Sequence, residues 1–283
     1  MQRQLIKQGR NALTVTLPAK WLAAKKLHAG DSIHLDTSPR QITITANARP
    51  NILETTVDVR GLSQGLTNHI LQGRYIEGYD RMLIQHDPNT DFSDLGAKFV
   101  GMVVESHHKG KTALSSAIKV PEEGFENILR RSSFLLLDQA ECLVLVAQKK
   151  ATSADVSAKE RLLDYHINYC MRYVNKYTNV DHPHRYFLLC STLESAGDYL
   201  SIMAQHIGTH AHLAQGVHRA TKAYIKHLFA GDLPACYNAV RSLRSAITPD
   251  NFIGGLAYAL AEQLNNFIGY LFEPSAPKAQ LPS

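Results

Sequence analysis

Gln4-Leu5-Ile6-Lys7-Gln8-Gly9-Arg10-Asn11-Ala12-Leu13-Thr14-Val15-Thr16-Leu17-Pro18 reads as strand, turn and strand. Gly9 supplies the backbone freedom of a tight turn, and Pro18 ends the second strand. Ala19 to Lys26 follow as a short helix around the only tryptophan, Trp21. A Gly30-Asp31 turn then leads to two more strands, Ser32–Asp36 and Gln41–Thr45. Residues 1–46 therefore form a small strand-rich module with too few residues to bury a core of its own. Such a unit is expected to pair with a second copy.

The 283-residue chain carries a net charge of +5, and the charge is unevenly spread. Residues 1–50 hold eight basic residues, among them Lys7, Arg10 and Lys20, against the acids Asp31 and Asp36. The rest of the chain is near neutral. A local basic patch fits contact with a phosphate backbone. The plainer alternatives are a surface charged for solubility and a dimerisation staple with incidental charge. Lys7, Arg10 and Asn11 fall around the Gly9 turn, and Lys20 opens the helix. These four are the candidate DNA contacts, because Arg and Asn at a turn tip offer phosphate and base-edge donors together.

Thr45 to Pro50 read as a linker. Residues 51–120 then alternate as β-α-β-α-β-β, with helices expected over 62–78 and 91–101. From Pro121 nearly everything suits helix. Breaks near Ala151, at His182-Pro183, near Gly208, at Gly231-Asp232 and at Thr248-Pro249 divide it into six. The expected spans are 123–149, 154–178, 183–207, 211–230, 233–247 and 250–272. Short loops imply an antiparallel bundle over 121–273. The Pro/Ala/Ser-rich tail, 274–283, is expected to be disordered. The fold class is multidomain α+β.

Several classes of function lose support at this point. No uncharged apolar run reaches the ~18 residues of a membrane span, and residues 1–20 lack the apolar core of a signal peptide. The four cysteines form no CxxC pair, which suits reduced, buried thiols in a cytoplasmic protein. There is no phosphate loop, no GxSxG and no persuasive Cys/His nucleophile, so the chain is not read as an enzyme.

One constellation could bind an ion. Glu194 and Asp198 stand at i and i+4 on one helix face, and Glu160, Asp164 and Asn168 repeat that spacing on the preceding helix. Oxygen ligands from adjacent helices suit a divalent cation or iron. A solvated acidic face is the competing reading. His206 and His210 share the i, i+4 spacing but lie at a helix end, where capping or plain surface exposure is the better account. Residues 188–200 and 256–268 also form a weak internal repeat. In it Glu194 and Asp198 correspond to Glu262 and Asn266.

Gly9, Thr14-Val15-Thr16-Leu17-Pro18, Trp21, Leu27 to Asp31 and Ile33 together resemble the swapped-hairpin AbrB/SpoVT family of DNA-binding domains. That resemblance implies an intertwined dimer gripping DNA with basic residues. Glu194-Ser195-Ala196-Gly197-Asp198 resembles the Glu-x-x-x-Asp metal motif of PhoU-like helical proteins, and Glu160-Arg161-Leu162-Leu163-Asp164 is a partial match. Asn266 departs from it, holding Asn where the motif has Asp. The order of segments is similar to archaeal-type phosphate uptake regulators.

The resemblance implies a cytoplasmic, dimeric or higher even-numbered DNA-binding regulator of phosphate homeostasis. It also implies a metal held by Glu160, Asp164, Glu194 and Asp198. The rival expectation is an interaction protein that only dimerises through the module and docks on a phosphate transporter.

Overall fold

The structure is a computed structural model that describes residues 2–10, 12–37, 42–46, 52–117, 123–176, 180, 182–208, 210–247 and 249–271. The fold is mixed α+β and mostly helical. The chain divides into two compact units, residues 1–51 and 52–283. The segments expected at 51–120 and 121–273 thus fall together in the second unit. The tail expected to be disordered lies outside the described residues.

In the first unit β1 (Ile6–Gln8) and β2 (Ala12–Thr14) form an antiparallel hairpin. Gly9 takes φ +75° in its turn, a conformation costly for any residue with a Cβ. The helix α1 (Ala19–Lys25) follows Pro18 and ends at Lys26 in the left-handed region. A second antiparallel hairpin joins β3 (Ile33–Thr37) to β4 (Ile42–Ala46).

Strand alternation sorts the second hairpin by chemistry but not the first. In the first, Lys7 shares a face with Leu13, and Ile6 lies on the opposite face with Thr14. Ile33, Leu35, Ile42 and Ile44 share one face of the second, with His34, Thr43 and Thr45 opposite. The apolar side chains of both hairpins are left unburied among the described residues. Leu13 is 61% and Ile42 66% exposed, and none of the module's described side chains is buried.

The second unit opens with a four-stranded sheet in the order β5-β6-β8-β7. β5 (Glu54–Asp58) and β6 (Arg81–Gln85) run parallel, joined by the crossover helix α2 (Gln64–Ile76). Ser63 caps α2 by accepting from the Leu66 amide at 3.3 Å. β7 (Met102–His108) and β8 (Lys111–Ser116) form a hairpin whose second strand inserts beside β6. Leu71 and Tyr75 of α2 pack on Met82, Ile84 and Leu114 of the sheet.

The helix expected over 91–101 is corrected to a single 3₁₀ turn, Leu95–Lys98. Asp91 accepts from the Ser93 amide at 2.8 Å, a local turn that competes with helix. An added Cβ on Gly96 would sit 3.1 Å from the Met102 carbonyl oxygen. The backbone runs against β7 too closely there for a longer helix.

All six expected helices are present, as α3 (Glu123–Ala147), α4 (Ser153–Lys176), α5 (Pro183–His206), α6 (Ala211–Ala230), α7 (Leu233–Ser245) and α8 (Phe252–Leu271). Their ends follow local rules. Pro183 stands at the first turn of α5, Gly231 closes α6 at φ +68°, and Asp232 caps α7 through the Ala235 amide at 3.1 Å.

α3, α4 and α5 pack as one set of three and α6, α7 and α8 as another, meeting where α3 touches α6 and α5 touches α8. One apolar core runs through both sets. All four cysteines are free and buried, as their sequence context predicts. Among the described residues no helix is long and apolar enough to cross a membrane.

Candidate functional site

Helical spacing places Glu160, Asp164, Asn168, Arg172 and Lys176 four residues apart along one stripe of α4. The stripe changes sign along its length. Its acidic end faces Glu194 and Asp198 of α5, and its basic end faces the sheet domain. All four sequence-predicted carboxylates therefore meet at one seam.

Their mutual effects show how near they lie. Burial pushes the Asp164 carboxyl up to about 8, and the hydrogen bond and charge of Glu160 and the charges of Glu194 and Asp198 add to the rise. Burial also raises Glu194, reinforced by Asp198 and Glu160 and opposed by His69 of α2. Asp198, at the exposed rim, is raised by desolvation and then by Glu160.

The Oδ1 of Asp164 is buried without a hydrogen-bond partner. Even so, among the described residues no three His, Cys, Asp or Glu side chains converge closely enough to hold an ion. The arrangement is that of a buried carboxyl, Asp164, hydrogen-bonded to Glu160 and crowded by Glu194 and Asp198, and the residues present do not fit a bound divalent or iron ion as they stand.

Helix packing explains why the seam is tight. Gln139 of α3, fully buried, donates to the Gly197 carbonyl at 2.8 Å and to the Ser201 hydroxyl at 3.2 Å. Gly197 lies inside the Glu-x-x-x-Asp segment, and a Cβ there would come within 2.6 Å of Leu163 Cδ2. Only glycine lets α5 approach α4 this closely.

The rest of the α4 stripe, of which the sequence singled out only Asn168, as a possible oxygen ligand, fastens the bundle to the sheet domain. Asn168 accepts from Gln72 Nε2 at 2.9 Å, so a neutral amide stands where a carboxylate would continue the acidic series. Arg172, 6% exposed, donates from Nη1 to the carbonyls of Tyr75 and Tyr79, both at 2.8 Å. Its guanidinium also lies 4.9 Å from the Tyr75 ring centroid and pairs with Asp80 at 3.4 Å. Lys176 pairs with the same carboxylate. The signal for these residues was the i+4 continuation beyond Asn168; their partners were invisible because they lie over 90 positions away.

Of the candidate DNA contacts, Lys7 lies in β1, Arg10 in the hairpin turn and Lys20 in the first turn of α1. All three are exposed. Asn11 lies outside the described residues. His206 packs edge-on against Phe252 with ring centroids 5.0 Å apart, and His210 Nδ1 meets the Ile207 carbonyl at 2.8 Å. Both side chains are exposed.

No family model, no curated protein and no solved structure matches the chain.

Proposed function

We propose that the chain is a cytoplasmic DNA-binding regulator of phosphate uptake rather than an enzyme. In this reading it acts as a homodimer joined through an AbrB/SpoVT-like module and carries a PhoU-like helical domain. One observation carries the proposal: the module buries none of its described side chains, yet it exposes Leu5, Ile6, Leu13, Val15, Leu35 and Ile42, and its second hairpin gathers Ile33, Leu35, Ile42 and Ile44 on one face. A second copy would cover that apolar surface. Arg10, in the turn, and Lys20, on the helix, would stay exposed to meet phosphates, with Lys7 and Asn11 near the turn in sequence.

The test is binding of full-length protein to labelled duplex DNA over a series of salt concentrations, with particle mass measured in parallel. The expected result is a dimer or higher even assembly whose log affinity falls linearly with log salt. Arg10→Ala weakens binding across sequences and flattens that slope by about one counterion. A clean dimer with no salt-dependent affinity for any duplex sinks the DNA reading. Chromatin immunoprecipitation under high and low phosphate then tests the pathway.

The same uncovered surface favours one alternative, a partner protein on a phosphate transporter. Capture of a transporter ATPase without chromatin enrichment decides for it.

A further inference from the structure

We propose that the seam between α7 and α8 is a binding site for a small oxyanion, a carboxylate- or phosphate-bearing solute. The inference is independent of the DNA-binding reading. A cavity of about 380 Å³ opens there, lined by Tyr237, Val240, Arg241, Arg244 and Ser245 of α7 and by Asn265 of α8. That volume lies at the small end of ligand pockets.

Positions 237, 240, 241, 244 and 245 follow helical spacing, so they form one stripe of α7. A stripe turned toward a neighbouring helix is ordinarily apolar. Here Val240 alone of the five is a buried aliphatic residue, and the others carry hydrogen-bonding groups.

The chemistry of that lining is one-sided. Two guanidiniums bring donors and no acceptors, and the Asn265 amide and the Ser245 and Tyr237 hydroxyls can each donate as well. Arg244 is held in place, its Nη1 lying 2.7 Å from Glu262 Oε1 and its guanidinium 5.6 Å from the Tyr258 ring centroid. Glu262 thus lies at ion-pair distance from Arg244, though the contact is not aligned as a hydrogen bond. Arg241 is exposed and has no ion pair or hydrogen bond among the described residues. A fixed fork beside an uncommitted one suits an acceptor-only guest with more than one anionic oxygen.

The internal repeat sharpens the contrast. Glu262 and Asn266 of α8 correspond to Glu194 and Asp198 of α5, and Asn265 corresponds to Gly197. In the first half the preceding helix, α4, brings Glu160 and Asp164 to that seam, and Leu163 closes it against Gly197. In the second half the preceding helix, α7, brings Arg241 and Arg244, and the seam stays open. The two halves thus present the same seam with opposite charge. A concave site of this size selects a small solute over a flat acidic partner surface.

The experiment is calorimetric titration of the full-length protein at constant ionic strength with inorganic phosphate, pyrophosphate and citrate. Phosphate and pyrophosphate against citrate distinguish the two sources of the anion. Arg241→Gln is the test variant, since a side chain without partners can be changed without unfolding the helix. Arg219→Gln, an exposed charge on α6, removes the same charge elsewhere.

The expected result is saturable one-site binding of at least one probe, weakened about tenfold or more by Arg241→Gln and unchanged by Arg219→Gln. No saturable binding of any probe overturns the proposal. So does equal weakening by both variants, which would mean a general charge effect.

Discussion

Arg172 of α4 and Tyr75 of α2 are joined twice, by a hydrogen bond of 2.8 Å from guanidinium to carbonyl and by the guanidinium lying 4.9 Å from the ring centroid. The carbonyl belongs to the last turn of α2, where the helix dipole favours a cation. Replacing Arg172 with alanine leaves the Tyr75 and Tyr79 carbonyls short of a donor and strips one cation from Asp80. The expected loss is about 3–5 kcal/mol of stability, as for one partner removed from a buried charged network. Arg172→Lys is expected to recover little, because an ammonium cannot reproduce the planar fork. Urea denaturation of the two variants checks both statements.

Gly197→Ala forces a methyl to within 2.6 Å of Leu163 Cδ2 and 3.3 Å of Gln139 Oε1. Overpacking of this kind costs about 1–3 kcal/mol. Leu163→Ala alone costs about 2–5 kcal/mol by leaving a cavity. The two side chains compete for one space, so the double variant should lose less than the sum of the single losses. Thermal melts of the four proteins measure that coupling.

Asp164 gives stability a direction with pH. The folded chain keeps its proton up to about pH 8, against a reference value of 3.8. Between those values the folded state binds more protons than the unfolded state, so its contribution to stability is lost as pH rises through that window. His166 acts oppositely, since burial lowers its value and the unfolded state binds the extra proton on the acid side. Comparing Asp164→Asn with the parent isolates the carboxyl. The variant should gain stability relative to the parent as pH rises from about 5 to about 8. Urea midpoints in the presence of a chelator check it. A difference that stays constant with pH, or changes in the opposite sense, refutes the assignment.

Thr112 links two imidazoles across the sheet edge. Its hydroxyl lies 2.9 Å from His86 Nε2 and 2.7 Å from His107 Nδ1. His86 Nδ1 faces the Asp87 carbonyl oxygen at 2.9 Å, which can only accept, so that nitrogen carries the proton. With both rings neutral, Thr112 donates to His86 and accepts from His107 Nδ1. Nitrogen NMR should find the Nδ1–H tautomer in both rings at alkaline pH. Thr112→Val should cost about 1–3 kcal/mol by leaving a buried imidazole nitrogen without its donor, and should release His107 from that tautomer.

The bundle was legible because proline, glycine and capping residues mark each end. Pro183, Gly231 and Asp232 act within one turn of their own positions. The strands were legible for the same local reason. The insertion of β8 between β6 and β7 was not, since strand order is set by contacts between distant segments. Site residues divide in the same way. Spacing put Glu160 with Asp164 and Glu194 with Asp198, but it could not show that the two pairs meet, nor that Asn168 answers to Gln72. The α7 stripe escaped notice because arginines at helical spacing look like any solvated face until the neighbouring helix is in view.

The ordering of charge along α4 makes that helix a lever. Glu160 and Arg172 are twelve residues apart on one rod, about 18 Å at the helical rise. One end sits among carboxyls whose protonation sets their repulsion, and the other is bolted to the end of α2. Any tilt of α4 that separates it from α5 must carry α2 along or break the Arg172, Lys176 and Asn168 attachments. The acidic seam and the sheet domain thus share one rigid element, with Asn168, Arg172 and Lys176 as its fastenings at the far end.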